Sequence, residues 1–410
     1  MLYVSNSMLP VDFARHAAPA ALHDFRRLVL ADAALQAELS QPLETTAFAE
    51  LAAARAQARG VELGAADILA AFRPDPLGLA RLAPPAAFWP GRPAGDWLPT
   101  HIGASATGAP YVEWTHFAGA PLAEPFFETS ARAAAARPFN RLFTCCTRLD
   151  DVLAAASEAP ARAPDGLIFH MSRCGSTLVA QMLAAMTGVR VISEAPALDA
   201  AVRIEGGAPG ALAAMVGALG RRRADGERGY VLKLDSWHAR AVPLFRRLFP
   251  ATPWVFLYRD PLEVLVSQRR ERGVQTIPGV LPREVFGLDP TAMDDEAYCA
   301  RVLAMTCEAA ADHLALGGGL LARYDDLPAA VFTRILPHFG LAPDRDDLVA
   351  MHAAARRNAK APEVLFEPDG HSKRRAATPR LANLVRAHLA GPYGRLEQLR
   401  LSRFPLPPSG

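Results

Sequence analysis

From about Gly166 onward the chain repeats a short apolar run, a turn and an amphipathic stretch, and no other feature constrains the fold as strongly. The apolar runs are 167–170, 189–192, 230–233, 254–258 and 320–324, with helical stretches between them. Short runs that do not alternate with polar residues indicate strands buried on both faces. That means a parallel sheet with helices on both faces. An α/β domain is therefore expected over 166–405. Ligands of such sheets bind beyond the carboxyl ends of the strands. The informative polar residues of this region each follow a strand end.

The earlier part of the chain reads differently. Phe25, Leu28, Val29, Leu35 and Leu39 recur at helical spacing, and amphipathic stretches follow at about 45–59 and 65–72. A small all-α domain is expected within 1–73. Six prolines between Pro74 and Pro93 cannot continue a helix and mark a linker over 74–99. Within 100–165, aromatic and alternating residues such as "YVEWTHF" predict an antiparallel hairpin between 97 and about 127. A helix over 128–136 follows, and the segment reads as a brace for the next domain.

Composition narrows the function classes. With 44 basic and 42 acidic side chains the formal charge is +2, which argues against a nucleic-acid-coating surface. No run approaches the roughly 18 to 20 apolar residues of a membrane span. The start of the chain lacks a secretory pattern. Cys145, Cys146, Cys174, Cys299 and Cys307 form no C-x-x-C pair, so a reducing cytoplasm is expected, without disulfides. No H-E-x-x-H spacing occurs among the histidines, and no metal site is expected. The cations are lopsided: Lys233, Lys360 and Lys373 are the only lysines in an arginine-rich chain.

"GLIFHMSRCGSTLVAQML" is an apolar strand, a short loop and a helix beginning at Ser176 or Thr177. Such a unit offers backbone N–H groups and a helix N-terminus to an anion. Ser172, Arg173, Cys174, Gly175, Ser176 and Thr177 are the candidate contacts, with Arg173 supplying fixed charge. Aligned on a nucleotide-kinase loop, His170 falls at the first glycine and Ser176 at the lysine, so both key positions fail. In "VFLYRDPLEVLVSQRRER" a second strand ends at Tyr258 and Arg259 follows at once. Ser267 lies eight residues later, about 12 Å along a helix opened by Pro261.

Together these motifs resemble the PAPS-dependent sulfotransferase family over about 166–400 (PAPS is 3′-phosphoadenosine 5′-phosphosulfate). The first loop resembles members with an R-x-G-[ST]-T core, and the arginine with a serine eight residues on resembles the pair that holds the 3′-phosphate. "LLARYDDLPAAVFTRILPHFGL" is similar to a later segment of the same fold, in which Tyr324 and Asp325 are structural. "GHSKRRAATPRL" reads as a loop, and its Lys373, Arg374 and Arg375 occupy the place of the family's basic phosphate-closing loop, although R-K-G is absent.

The resemblance implies PAPS as co-substrate, with Arg173 on the 5′-phosphosulfate and Lys233 meeting the bridging oxygen as charge builds there. A structural pairing of Lys233 with Asp235 is the competing reading. The general base is Glu194, which matches the family's glutamate, or Asp235, or His238. The turn-rich stretch 270–298 is long enough for an acceptor-binding loop, with Gln268, Arg272, Gln275 and Phe286 as lining residues beside His238. "HDFRRLVLADAALQAELSQPLETTAFAELAAARAQARGVELGAADILAAF" resembles the nitrogen-fixation-type leader-peptide domain, which implies a protein partner and a peptide- or carrier-bound acceptor. The expected activity is sulfuryl transfer to a hydroxyl or amine of a small molecule or peptide. A nucleotide-dependent phosphotransferase and a catalytically inactive nucleotide-binding protein are the alternatives.

Overall fold

The computed structural model describes residues 20–72, 85, 87–158, 161–365 and 370–403. Most of the Pro-rich stretch, 73–84 and 86, lies outside the described residues. Strands β1 (Trp97–Ala104), β2 (Pro110–His116) and β3 (Cys145–Arg148) form an antiparallel sheet. Strands β4 (Gly166–His170), β5 (Val189–Ser193), β6 (Gly229–Lys233), β7 (Trp254–Tyr258) and β8 (Gly319–Arg323) form a parallel sheet flanked by helices, in the order β5-β6-β4-β7-β8. Every residue of β4 to β7 is buried, which is why these strands lack alternation in the sequence.

That order locates the binding crevice. The crossover leaving β4 runs to β5 on one side, while the one leaving β7 runs to β8 on the other. A gap therefore opens between the carboxyl ends of β4 and β7, the place where ligands of open α/β sheets sit. Register places Lys233 opposite both Ile168 of β4 and Ser193 of β5, and His170 opposite Leu257.

The N-terminal periodicity resolves into helices Ala20–Ala31, Ala33–Leu39, Thr45–Gln57 and Ala65–Ala71. The first expected stretch is broken at Asp32, whose carboxylate accepts the Leu35 N–H at 3.0 Å and caps a new helix. Phe25, Val29, Leu35 and Leu39 are buried, but Leu28 is 40% exposed. Gln36, fully buried, donates to Val29 O and Leu30 O and accepts from Trp97 Nε1 at 2.9 Å. Phe25 and Phe48 meet Phe143 edge-on. Through these contacts the N-terminal helices, the antiparallel sheet and the α/β region share one apolar core. The expected hairpin is extended by β3, whose "CCTR" is too short and mixed to announce a strand until it pairs with β2.

Two further readings change. The basic trio near the C-terminus lies on a helix, Gly370–Arg375, rather than on a loop; a second helix, Pro379–Leu384, capped by Thr378, follows it. The turn-rich stretch after Arg270 carries its own small apolar cluster, in which Leu281, Phe286, Tyr298 and Val302 are buried together.

Candidate active site

Among the described residues only Ala118, Ser172, Arg173 and Glu194 are non-glycine residues with positive φ. Three of the four stand just past β4 and β5, at 68°, 53° and 52° respectively. Backbone in this region is costly for a residue with a Cβ and survives where the surroundings fix it, commonly at functional sites. Gly175, at φ 85°, is the N-cap of helix Ser176–Ala184. A Cβ there would approach Tyr324 Cδ2 to 2.8 Å, so only glycine fits between the loop and the end of β8.

The strained loop is locked by side chains. The Ser172 N–H donates to His170 Nδ1 at 3.1 Å, and His170 Nε2 lies 2.9 Å from Leu234 O. A carbonyl can only accept, so Nε2 carries the proton and the ring is neutral. Burial depresses the basicity of this ring, consistent with that state. Gln268 Nε2 donates to Ser172 Oγ at 3.1 Å, while Gln268 Oε1 accepts the Gly273 N–H at 2.7 Å. Cys174 Sγ donates to Leu257 O at 3.1 Å; burial pushes its thiol up to about 11, so it contributes packing and backbone.

The two expected anion motifs meet. Arg173 Nε donates to Ser267 Oγ at 3.0 Å across the gap between β4 and β7, and its Nη2 pairs with exposed Glu271 at 2.7 Å. Helix Pro261–Arg270 is capped by Asp260, which accepts the Leu262 and Glu263 N–H groups. Four-residue spacing stacks Arg259, Glu263 and Ser267 along one side of it. Arg259 is buried; it pairs with Glu263 at 2.7 Å, and its guanidinium lies 3.8 Å from the Tyr324 ring centroid. Glu263, buried as well, also receives Arg374 Nε at 2.8 Å. Lys373 turns inward on the same helix and is buried, while Arg375 is exposed.

Lys233 is fully buried at the end of β6 and pairs with Glu194, whose own N–H donates to Lys233 O at 2.7 Å. Glu194 Oε1 is 3.4 Å from His170 Nε2. Burial alone would raise the Glu194 pKa; the Lys233 ammonium and His170 overcome it and hold the carboxyl well below the usual range. Asp235, by contrast, is raised to about 6, chiefly by burial, although the neighbouring His238 opposes the shift.

His238 is buried, with Nε2 3.1 Å from Asp199 Oδ1 and Nδ1 3.9 Å from Asp235. Asp199, Asp235 and His238 each bring a ligand-type atom within 4.8 Å of the others. Asp199 is already engaged by Trp237 Nε1 at 2.8 Å and by Arg203.

The structure places the other expected acceptor residues around the helix Pro261–Arg270 and the stretch that follows it. Gln268 braces the loop, Arg272 holds the Asp295 carbonyl at 3.1 Å, Gln275 is buried against Gly273, and Phe286 belongs to the small apolar cluster. Sequence reasoning assigned no role to His170, Glu263, Phe126 or Lys360. His170 had a signal, as the last residue of a strand leading into the loop; Phe126 had none. The Phe126 ring lies 5.2 Å from Lys233 Nζ, so the region before the α/β sheet reaches this site.

No family model and no curated relative matches the chain. Among solved structures it is similar to a sulfotransferase domain from the curacin biosynthetic pathway, at 16% identity over 60% of this chain and 100% of that one, with a TM-score of 0.36. It is likewise similar to the sulfotransferase domain of the Synechococcus PCC 7002 olefin synthase, at 17% identity over 61% and 98% of the two chains, TM-score 0.37. A sulfotransferase from Mycobacterium avium is matched at 13% identity over 62% and 82%, TM-score 0.37.

Proposed function

We propose that the protein is a PAPS-dependent sulfotransferase acting on a hydroxyl or amine. The observation that carries this reading is the meeting of Arg173, Ser267, Lys233 and Glu194 at one end of the sheet, two of them held there on strained backbone. Sulfuryl transfer needs cations for the leaving phosphate and a base for the acceptor proton, and little else from the protein.

In this reading Arg173 and the loop N–H groups bind the 5′-phosphosulfate, and Arg259 with Lys373 and Arg374 receives the 3′-phosphate. The acceptor oxygen or nitrogen attacks sulfur, the bond from sulfur to the bridging oxygen breaks, and adenosine 3′,5′-bisphosphate leaves. Lys233 stabilises the charge that gathers on the bridging oxygen. One ammonium cannot neutralise that oxygen and Glu194 equally. As Lys233 turns to the donor, Glu194 becomes more basic and takes the acceptor proton. Asp235 is the reserve base, since burial brings it closer to neutrality. No helix among the described residues is long and apolar enough to cross a membrane; the proposal places the enzyme in the cytoplasm on its cysteine pattern. The N-terminal helices are proposed to recognise a protein, peptide or carrier that presents the acceptor.

Calorimetric titration with adenosine 3′,5′-bisphosphate and, separately, with magnesium ATP tests the donor assignment. Bisphosphate binding that weakens in Arg259→Ala is expected. Failure to bind bisphosphate overturns the proposal, and binding of magnesium ATP in its place assigns a phosphotransferase instead.

A further inference from the structure

Phe126 precedes helix Phe127–Ala135, far in sequence from the parallel sheet, yet its ring faces two ammonium groups. Lys233 Nζ lies 5.2 Å from the ring centroid and Lys360 Nζ lies 5.7 Å from it. Lys360 stands in the turn between β9 (Arg357–Asn358) and β10 (Ala361–Leu365). Its backbone N–H donates to Asn358 Oδ1 at 3.0 Å, which shapes that turn. The side chain as a whole is exposed. Its ammonium end nevertheless lies within electrostatic reach of Arg173, Glu271, Glu194 and Lys233; partial desolvation, then the Arg173 charge, lowers its pKa.

Two ammonium groups from separate parts of the chain thus converge on one ring, with the Arg173 charge within electrostatic reach of the outer one. Lys233 is paired with Glu194, and Arg173 with Glu271, while Lys360 faces an aromatic ring. A ring attracts an ammonium through its quadrupole without cancelling its charge. Positive charge gathered this way repels itself and is offset when a multiply charged anion joins it.

We propose that Lys360 contacts the terminal sulfonate of the donor, and that Phe126 is the surface that holds its ammonium beside Lys233. The inference rests on the PAPS reading above and deepens it. Arg173 and Arg259 serve the two phosphate positions of the nucleotide. The hairpin cation, the outermost of the three, serves the group that is transferred. The N-terminal region enters the site through Phe126, so the donor pocket is completed by both parts of the chain.

Full-length wild type, Lys360→Met, Lys360→Arg and Phe126→Leu are titrated with PAPS and with adenosine 3′,5′-bisphosphate, which lacks the sulfonate. Lys360→Met is expected to weaken PAPS about tenfold while changing bisphosphate affinity by under roughly twofold, with Lys360→Arg close to wild type and Phe126→Leu between them. Retained bisphosphate affinity also reports that each variant is folded. Wild type that binds neither ligand overturns the donor reading and this inference with it. Wild type that binds both, with an unchanged PAPS-to-bisphosphate ratio in Lys360→Met, overturns this inference alone. Equal weakening of the two ligands does the same.

Discussion

Two clusters of charge stand at the carboxyl edge of the sheet, and they are built on opposite plans. Around Lys233 a single carboxylate, Glu194, is partly open and held on a left-handed backbone, beside a neutral His170. Around Arg259 the carboxylate Glu263 is buried and shared by two guanidiniums, with Tyr324 stacked on one of them. The first arrangement can release its lysine and carboxylate to a reaction. The second is fixed: Glu263 neutralises part of the charge that a phosphate would meet, and its gain is position. A rigid cradle suits binding, and an adjustable pair suits proton transfer.

The comparison can be broken most directly at Glu194. Glu194→Gln is expected to lower turnover of any acceptor by roughly 10²- to 10⁴-fold while bisphosphate binding is kept. Loss of binding with turnover per bound donor unchanged would move Glu194 into the cradle class. At the other cluster, Glu263→Ala removes the buried carboxylate that Arg259 and Arg374 share, and thermal unfolding should report a loss of about 3–5 kcal/mol. A stability equal to wild type would mean that the pair is dispensable to the fold.

Asp235 sharpens the contrast through pH. Its pKa is raised in the folded state to about 6, so the stability it contributes is full below the ordinary aspartate range and is lost as pH rises through 6. Between pH 4 and pH 7 wild type should therefore lose on the order of 2 kcal/mol of unfolding free energy relative to Asp235→Asn. Parallel stability curves for the two proteins would exclude a raised pKa. The smallest effect is expected at Arg375, exposed on the helix that carries Arg374: Arg375→Ala should leave bisphosphate affinity within roughly twofold. A larger change would add it to the cradle.

Much of the framework was legible in advance, for a local reason. A strand buried on both faces must be apolar throughout, so the five parallel strands appear in the sequence within one residue of their observed ends. Pro261 after Arg259 marks its helix start for an equally local reason. The Arg173–Ser267 contact joins residues 94 apart and was legible only as two motifs awaiting a partner. Features that depend on pairing stayed hidden: β3 becomes a strand by lying on β2, and the basic trio becomes helical where Arg374 meets Glu263.

The lysines show the same division. Sequence alone singled them out, since three survive among arginines, and placed Lys233 at a strand end and Lys373 in a basic segment. Lys360 had no role that its neighbours in the chain could suggest. Tertiary structure decided it, because the ring it faces comes from residue 126 and the charges around it come from three strand-end segments and, at Glu271, from a helix end. Sequence determines which residues are buried and which turns are tight, through short-range sterics and hydrophobicity. Which charges share a space is a long-range property, set by strand order and by what packs across the open end of the sheet.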